Sequence, residues 1–445
     1  MKYRIFALLL YVLYLSACSQ KVIQITKIKD LEQLPQDALI YIDESSQIKV
    51  DSKALAVLKN DYLEKYYSIW QEKPNPNVNE VFWIKPSLLK NPGFGENLQA
   101  NPLSYTKEIL DSMDIESYPS KAIRAIITTT TDVRAVPTIK PMFNKPDGYP
   151  FDRWQNSLIF VGTPVLITHT SRDKSWVHIQ SSFVYGWVKA EHVGILSKEQ
   201  IKEIRGFKQY VTPIKDKILL YNAKGDFATQ ARIGQIFALK TGSHTKGDKI
   251  ALVTYTRMPN GNAKQKILYG LKSHFSPFPL ELDTQNIAKT INAMLGQRYG
   301  WGGLLENRDC SAFVRDIFSQ YGIHLPRNSK AQVNYGKNSV DLSMLTREEK
   351  EAFIIANATP YQTLLWQSGH IMLYIGHFEG KALIAHSVWS VTTGKKYENM
   401  LGGVVITTLH VGEEHNGTFA KSPLLIDKIG AMSDLSILAK QIQAK

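Results

Sequence analysis

Two cysteines, Cys18 and Cys310, stand in a chain of 445 residues. Cys310 follows Arg308-Asp309 and opens a run in which Phe313, Val314, Ile317, Phe318 and Tyr321 recur at helical spacing before Gly322 ends it. Asp309 is of a type that caps helix N-termini, which sets Cys310 in the first turn. There the helix dipole and unpaired backbone N–H groups favour a thiolate and lower the thiol pKa. The same N–H groups suit an oxyanion. A cysteine needed only as filler would sit mid-helix on the apolar face. A thiol nucleophile also needs a base and a group that orients it. His370 and His386 flank a hairpin pattern, with strands over 371–376 and 382–385 and a turn over 377–381. Pairing centred on residue 378 sets His370 directly opposite His386 on one face, so His370 serves as base and His386 holds its tautomer. The other reading is a pair of structural histidines. His377 falls in the turn and is read as solvated. None of the eleven histidines pairs with cysteine or carboxylate at metal-ligand spacing, so neither metal nor other cofactor is expected.

The elements that must position these residues change character along the chain. Residues 18–119 read as a mixed, largely helical cap, with a helix over 51–72 and a loop over 91–98. Tyr66, Tyr67 and Trp70 are assigned to core rather than to a sugar platform. Short β-rich runs then fill 120–197 (164–170, 175–180, 183–188) and 198–276 (218–221, 233–239, 250–255), which predicts two small barrels. The paired segments Trp176-Val177-His178 and Tyr185-Gly186-Trp187-Val188 resemble the strands of bacterial SH3-like domains. Residues 277–445 read as an α+β domain holding Cys310, His370 and His386. It includes a helix over 285–295, a helix start marked by the Thr346–Glu349 capping box, and a short helix near the C-terminus. The fold class is therefore a multidomain α+β chain: helical cap, two barrels, C-terminal α+β domain.

Charge and leader bound the partners. The net charge of +13 points to anionic neighbours. Lys2 and Arg4 followed by the apolar stretch 5–17 make residues 1–17 a signal peptide, too short to be a stable membrane span. No stretch in the chain is long and apolar enough for a polytopic membrane protein. The ending Leu15-Ser16-Ala17-Cys18 resembles the lipobox of bacterial lipoproteins, which implies cleavage before Cys18, lipidation of its thiol and a bilayer partner. Ser19 stands where aspartate would retain a Gram-negative lipoprotein at the inner membrane, so the expected address is the outer membrane, facing the periplasm. Export argues against nucleic acid and for anionic wall polymer.

Tyr299-Gly300-Trp301-Gly302-Gly303, Asp309-Cys310-Ser311, Leu325-Pro326-Arg327-Asn328-Ser329, Gly369-His370 and His386, in that order, resemble the NlpC-type papain-like cell-wall cysteine peptidases. The resemblance implies a papain-like catalytic domain behind two SH3-like barrels. It also implies hydrolysis of the amide between γ-D-glutamyl and a diamino acid in peptidoglycan stem peptides. Cys310 would be nucleophile, His370 base and His386 orienting residue, with Tyr299 near the oxyanion or substrate backbone. Trp301, Asp309, Ser311 and Ser329 would line the pocket. Relatives that need a free N-terminal alanine hold its amine with a carboxylate where this chain has Asn328, which accepts a hydrogen bond but carries no charge. Asp309, or Asp152 in the segment Phe151-Asp152-Arg153-Trp154-Gln155, could substitute. A non-catalytic wall-binding lipoprotein and an acyl transferase or amidase on the same scaffold remain the alternatives.

Overall fold

The computed structural model describes residues 22–24, 27–43, 50, 52–240, 247–392, 397–416 and 423–435. Residues 1–17 and Cys18 lie outside them. Among the described residues no helix is long and apolar enough to cross a membrane.

The N-terminal segment serves two neighbours. Residues 27–43 lie against the C-terminal domain: Leu34 and Ala38 enter its core, and the Gln36 side chain bonds both the carbonyl and the amide of Ile406. Strand Val22–Gln24 adds to the edge of that domain's sheet, parallel to the strand that begins at Tyr397. The helix expected over 51–72 spans Ser52–Ser68 and buries Ala54, Leu58, Tyr62 and Tyr67. Tyr62, Tyr67 and Trp70 form one core with Ile126 and Leu166 of the first barrel and Tyr210 and Tyr255 of the second, and Trp70 Nε1 donates to Ala125 O at 2.9 Å. These aromatics are thus interdomain core.

The first barrel is a seven-stranded antiparallel sheet in the order Gln155–Ile159, Thr131–Arg134, Tyr185–Lys189, Trp176–Gln180, Pro164–Thr170, Ile123–Ile127, Val193–Ile195. Trp187 on strand Tyr185–Lys189 is fully buried, as is Trp154. The second barrel pairs a four-stranded sheet (Phe227–Ala231, Ile218–Tyr221, Ala263–Leu271, Lys249–Arg257) with a three-stranded one (Phe237–Ala238, Tyr210–Pro213, Phe275–Pro277). The strand expected over 233–239 is thus only two residues long. Ile233 and Gly234 instead turn toward the C-terminal domain, where a Cβ on Gly234 would sit 2.7 Å from the Asp316 carboxyl carbon.

In the C-terminal domain a seven-stranded sheet has apolar residues on both faces. On one, Ile371, Leu373, Ile375, Ala385 and Val404 pack on helices Thr284–Asn292 and Cys310–Ser319. On the other, Leu365, Met372, Tyr374 and Ile384 pack on Ile354 of helix Arg347–Asn357. Gly322 ends the turn that follows helix Cys310–Ser319 at φ 77°, where a side chain would press on the Leu58 backbone at 3.1 Å. The C-terminal region holds a short helix, Leu425–Lys428, and then strand Ala431–Asp434, which pairs with Thr363–Gln367 inside the sheet.

A buried ionic cluster joins the second barrel to this domain. Arg308 holds Asp216 through two bonds of 2.9 Å and Asp316 at 2.8 Å, while Arg232 reaches Asp216 at 3.1 Å. Asp216, Arg232 and Arg308 are all buried. Burial alone would raise the Asp216 pKa, but the two arginines overcome it and hold the carboxyl far below its usual range. A buried pair adds little over an apolar isostere, yet deleting one partner strands the other charge. Asp216→Ala is expected to lower the unfolding free energy by about 3–5 kcal/mol, read as a lower denaturation midpoint in urea.

Candidate active site

Cys310 is the first residue of its helix, and the Asp309 carboxylate caps that helix by accepting from Ala312 N at 2.8 Å. The second Asp309 oxygen accepts from Gly302 N at 2.9 Å and pairs with Arg327 at 2.6 Å. Arg327 also donates to Ser311 Oγ at 2.6 Å and to Ser157 Oγ of the first barrel at 2.9 Å. Asp309 and Ser311 are therefore consumed in building the site. Gly302 and Gly303, at φ 59° and 88°, let the loop touch the barrel: a Cβ on either would lie 2.7 Å from Gln155 or 2.5 Å from Leu158. Gln155 Nε2 donates to Gly302 O at 3.0 Å.

The two histidines meet, though not as directly opposed residues. At the turn Phe378 faces Lys381, a register that would set His386 beside Leu373, on the face away from His370. A bulge between Tyr374 and Gly376, with Gly376 at φ 127°, shifts the pairing to Leu373 opposite Ala385. Continued, that register puts His386 beside Met372, two residues from His370 on the same face. His377 lies in the strand His370–Phe378 and is exposed. His370 Nε2 and His386 Nδ1 are 2.9 Å apart, and His386 Nε2 lies 3.1 Å from Thr407 Oγ1.

The tautomers follow. Thr407 Oγ1 donates its proton to Thr408 O at 3.0 Å, so it accepts from His386 Nε2–H. Burial and the neighbouring His370 keep His386 well below the usual imidazole range, hence neutral with a single N–H. Its Nδ1 then accepts from His370 Nε2–H. Burial pushes His370 down to about 4 against the pull of Asp309, so it too is neutral at pH 7, with its lone pair on Nδ1.

The Cys310 thiol departs from expectation. Burial, with the Asp309 charge, pushes it up to about 12, outweighing hydrogen bonding from the Ile371 and Ser311 amides and the charge of Arg327. The resting pair is neutral thiol and neutral imidazole. Tyr299 is also kept protonated, by burial and by the Asp309 charge.

A cleft of about 420 Å³ opens on Cys310. Trp301, Gly302, Asp309, Ser311, Arg327, Asn328 and Ser329 line it from the C-terminal domain, and Trp83, Gln155, Phe183 and Tyr185 from the cap and first barrel. Among the described residues no group of three or more His, Cys, Asp and Glu side chains could hold a metal ion.

Sequence comparison matches residues 296–406 to the NlpC/P60 family, 7–118 to the N-terminal NLPC_P60 stabilising domain, 141–189 to an SH3 domain of SH3b1 type and 199–242 to one of SH3b2 type. The C-terminal domain is an NlpC/P60 domain. The chain resembles the structure of an NlpC/P60 endopeptidase from Photobacterium damselae subsp. piscicida at 23% identity, over 94% of this chain and 98% of that one, with a TM-score of 0.80. An NlpC/P60 family protein from Bacillus cereus aligns at 15% identity, over 70% of this chain and 99% of that one, with a TM-score of 0.45. No curated protein matches the sequence.

Within the NlpC/P60 domain the cleft withholds two expected ligand groups. Asp152 lies in the barrel, 1% exposed, its carboxylate held by Arg134 at 2.7 Å and by the amides of Met142 and Trp154. It reaches the site only indirectly, since Arg134 also donates to Gln155. Asn328 caps helix Ser329–Val333, and its Oδ1 already accepts from the amides of Lys330 and Ala331. Its amide N–H groups, not its oxygen, are what it offers a ligand. Trp301 stacks edge-on with Phe151 of the barrel at 5.3 Å. Arg327, Gln155 and Thr407 escaped sequence reading. The first is adjacent to Asn328 in a recognised motif and the second ends the segment singled out for Asp152, whereas nothing in the sequence marks Thr407. Thr407→Val is expected to free His386 to invert its tautomer, lowering kcat roughly tenfold with KM little changed. Thr407→Ser restores the acceptor and the rate in the same steady-state assay.

Proposed function

We propose that the chain is a cell-wall cysteine peptidase that hydrolyses the γ-D-glutamyl–diamino acid amide of peptidoglycan stem peptides. The observation that carries this reading is the hydrogen-bonded order Thr407–His386–His370, which leaves His370 Nδ1 unprotonated, together with a capped Cys310 whose thiol is hydrogen-bonded by the amide of Ile371, the next residue after His370. His370 Nδ1 takes the Cys310 proton as Sγ attacks the carbonyl. First-turn amides and the Tyr299 hydroxyl meet the oxyanion. His370 then protonates the departing amine, and water, activated by the same imidazole, releases the acyl group from sulfur. Trp301, Ser329 and Asn328 line the substrate path. Export, lipid attachment at Cys18 and an outer-membrane address facing the periplasm complete the proposal, supported by the leader and by the positive charge.

Mass spectrometry of products tests it, with wild type and Cys310→Ala on L-Ala-γ-D-Glu-diaminopimelate, free and attached to its disaccharide. Wild type is expected to release the diamino acid with the mass of one added water, and the alanine variant nothing. A product joined to an added amine would indicate acyl transfer, and identical traces would reduce the protein to wall binding. The pH profile is a second check. His370 acts as base only when neutral, and its pKa is depressed to about 4. The acid limb of kcat/KM is therefore expected well below 6.5, with activity retained at pH 5.5 and lost as pH falls through His370's own range.

A further inference from the structure

One outward sheet face of the second barrel groups apolar side chains that nothing in the fold covers. Strand alternation buries Ile218 and Leu220 and turns Leu219 and Tyr221 out. Tyr221 stands directly opposite Phe227 on one neighbouring strand and Tyr269 on the other, so all three project to the same side. Leu271 joins them two residues beyond Tyr269. Leu219 is 45% exposed and Phe227 58%. Lys215, Lys217, Lys224 and Lys249 surround this face, all exposed and in no ion pair among the described residues, and exposed Lys272 follows Leu271. The acids do not balance them. Asp216 is turned inward and held by Arg308 and Arg232, which leaves the exposed Asp226 and Asp248. Asp226 itself accepts from the Asn222 amide within its turn. None of the residues that line the groove on this face lines the cleft at Cys310.

An outward apolar patch of this kind marks a surface that meets something other than water. The lysines make that something anionic. A water-soluble polyanion would engage the lysines and leave Leu219 and Phe227 in water. A bilayer surface uses both sets: ammonium groups reach lipid phosphates, while Leu, Phe and Tyr side chains settle between headgroups and the first methylenes. We propose that this face of the second barrel docks on an anionic phospholipid bilayer. Attraction of lysines to such a surface decays within a Debye length, so the apolar side chains keep the lysines close enough to act. The contact is independent of the reaction at Cys310 and of any lipid on Cys18. Through Asp216 and Arg308 it would also orient the domain that carries Cys310 relative to the membrane.

The test reads the face itself in the full chain. Hydrogen exchange over residues 214–226 and 269–274 is followed with vesicles of phosphatidylglycerol and phosphatidylethanolamine, with vesicles of phosphatidylcholine, with inorganic phosphate and with purified sacculi. Exchange is expected to slow about fivefold or more on the anionic vesicles alone, and the protection to fade at high salt. Changing Lys217, Lys224 and Lys249 together to Glu, or Leu219 and Phe227 together to Ser, is expected to abolish the protection. The same charge change at exposed Lys107, Lys198 and Lys202 is expected to leave it in place. Both variants of the face are expected to keep the wild-type urea midpoint, which separates loss of docking from loss of fold. Equal protection by phosphatidylcholine or phosphate, protection by sacculi in place of vesicles, or persistence in either variant of the face would overturn the proposal.

Discussion

One buried carboxylate sets the geometry of the site. Asp309 caps the helix that begins at Cys310, fixes Gly302 of the preceding loop and neutralises Arg327, which reaches Ser157 on the first barrel. Burial would raise its pKa, but Arg327 and the two amides keep it ionised. An ionised carboxylate in a closed space must satisfy every lone pair, and here the groups that satisfy it are the parts that must stay in register. The helix start, the glycine loop and the barrel edge therefore share one anchor. Cys310 inherits its position from all three.

That anchor has a cost for the nucleophile. The exclusion of water and a negative charge next to Cys310 both oppose a thiolate, and together they exceed what the Ile371 and Ser311 amides and Arg327 return. A cysteine at a helix start is thus not by itself an activated one. On the proposed mechanism, activation comes from the base at the moment of attack, which makes the orientation of His370 more important than any resting ion pair. The chain secures that orientation through two neutral hydrogen bonds ending on a threonine whose own proton is committed to Thr408. A bulge one residue long places both imidazoles on the same face.

How far the sequence alone discloses this follows the range of each interaction. Local signals read well: the N-cap at Asp309, the stop at Gly322, the Thr346 capping box, and the tryptophan strand around Trp187 all appear where residue type demands. Family motif supplied Cys310, His370 and His386 together. Register did not read, because a bulge at Ile375 has no marker beyond a glycine, and the symmetric hairpin misplaces both turn and pairing. Asp152 reads as an acid available to a ligand, because its partner Arg134 lies 18 residues earlier across a strand pair. Asn328 reads as a pocket residue until its side chain is seen closing the next helix. Asp152 found its partner at a distance that periodicity does not encode, whereas Asn328 caps a helix of five residues, too short to show a period of its own.

The same long-range ties enlarge the working unit beyond the C-terminal domain. The Gly302–Gly303 loop is shaped by Gln155 and Leu158, Arg308 is balanced by Asp216, and the sheet carrying both histidines takes Leu34, Ala38 and Gln36 from the N-terminal segment. One of these contacts, Arg308 with Asp216, involves charges that would be stranded in a low dielectric if a neighbour withdrew. Barrels that merely tethered the enzyme to its polymer would meet it through a wetter, more exchangeable surface. Here the first barrel supplies one wall of the cleft and the second neutralises the arginine two residues before the nucleophile. The barrels are structural parts of the site that holds Cys310.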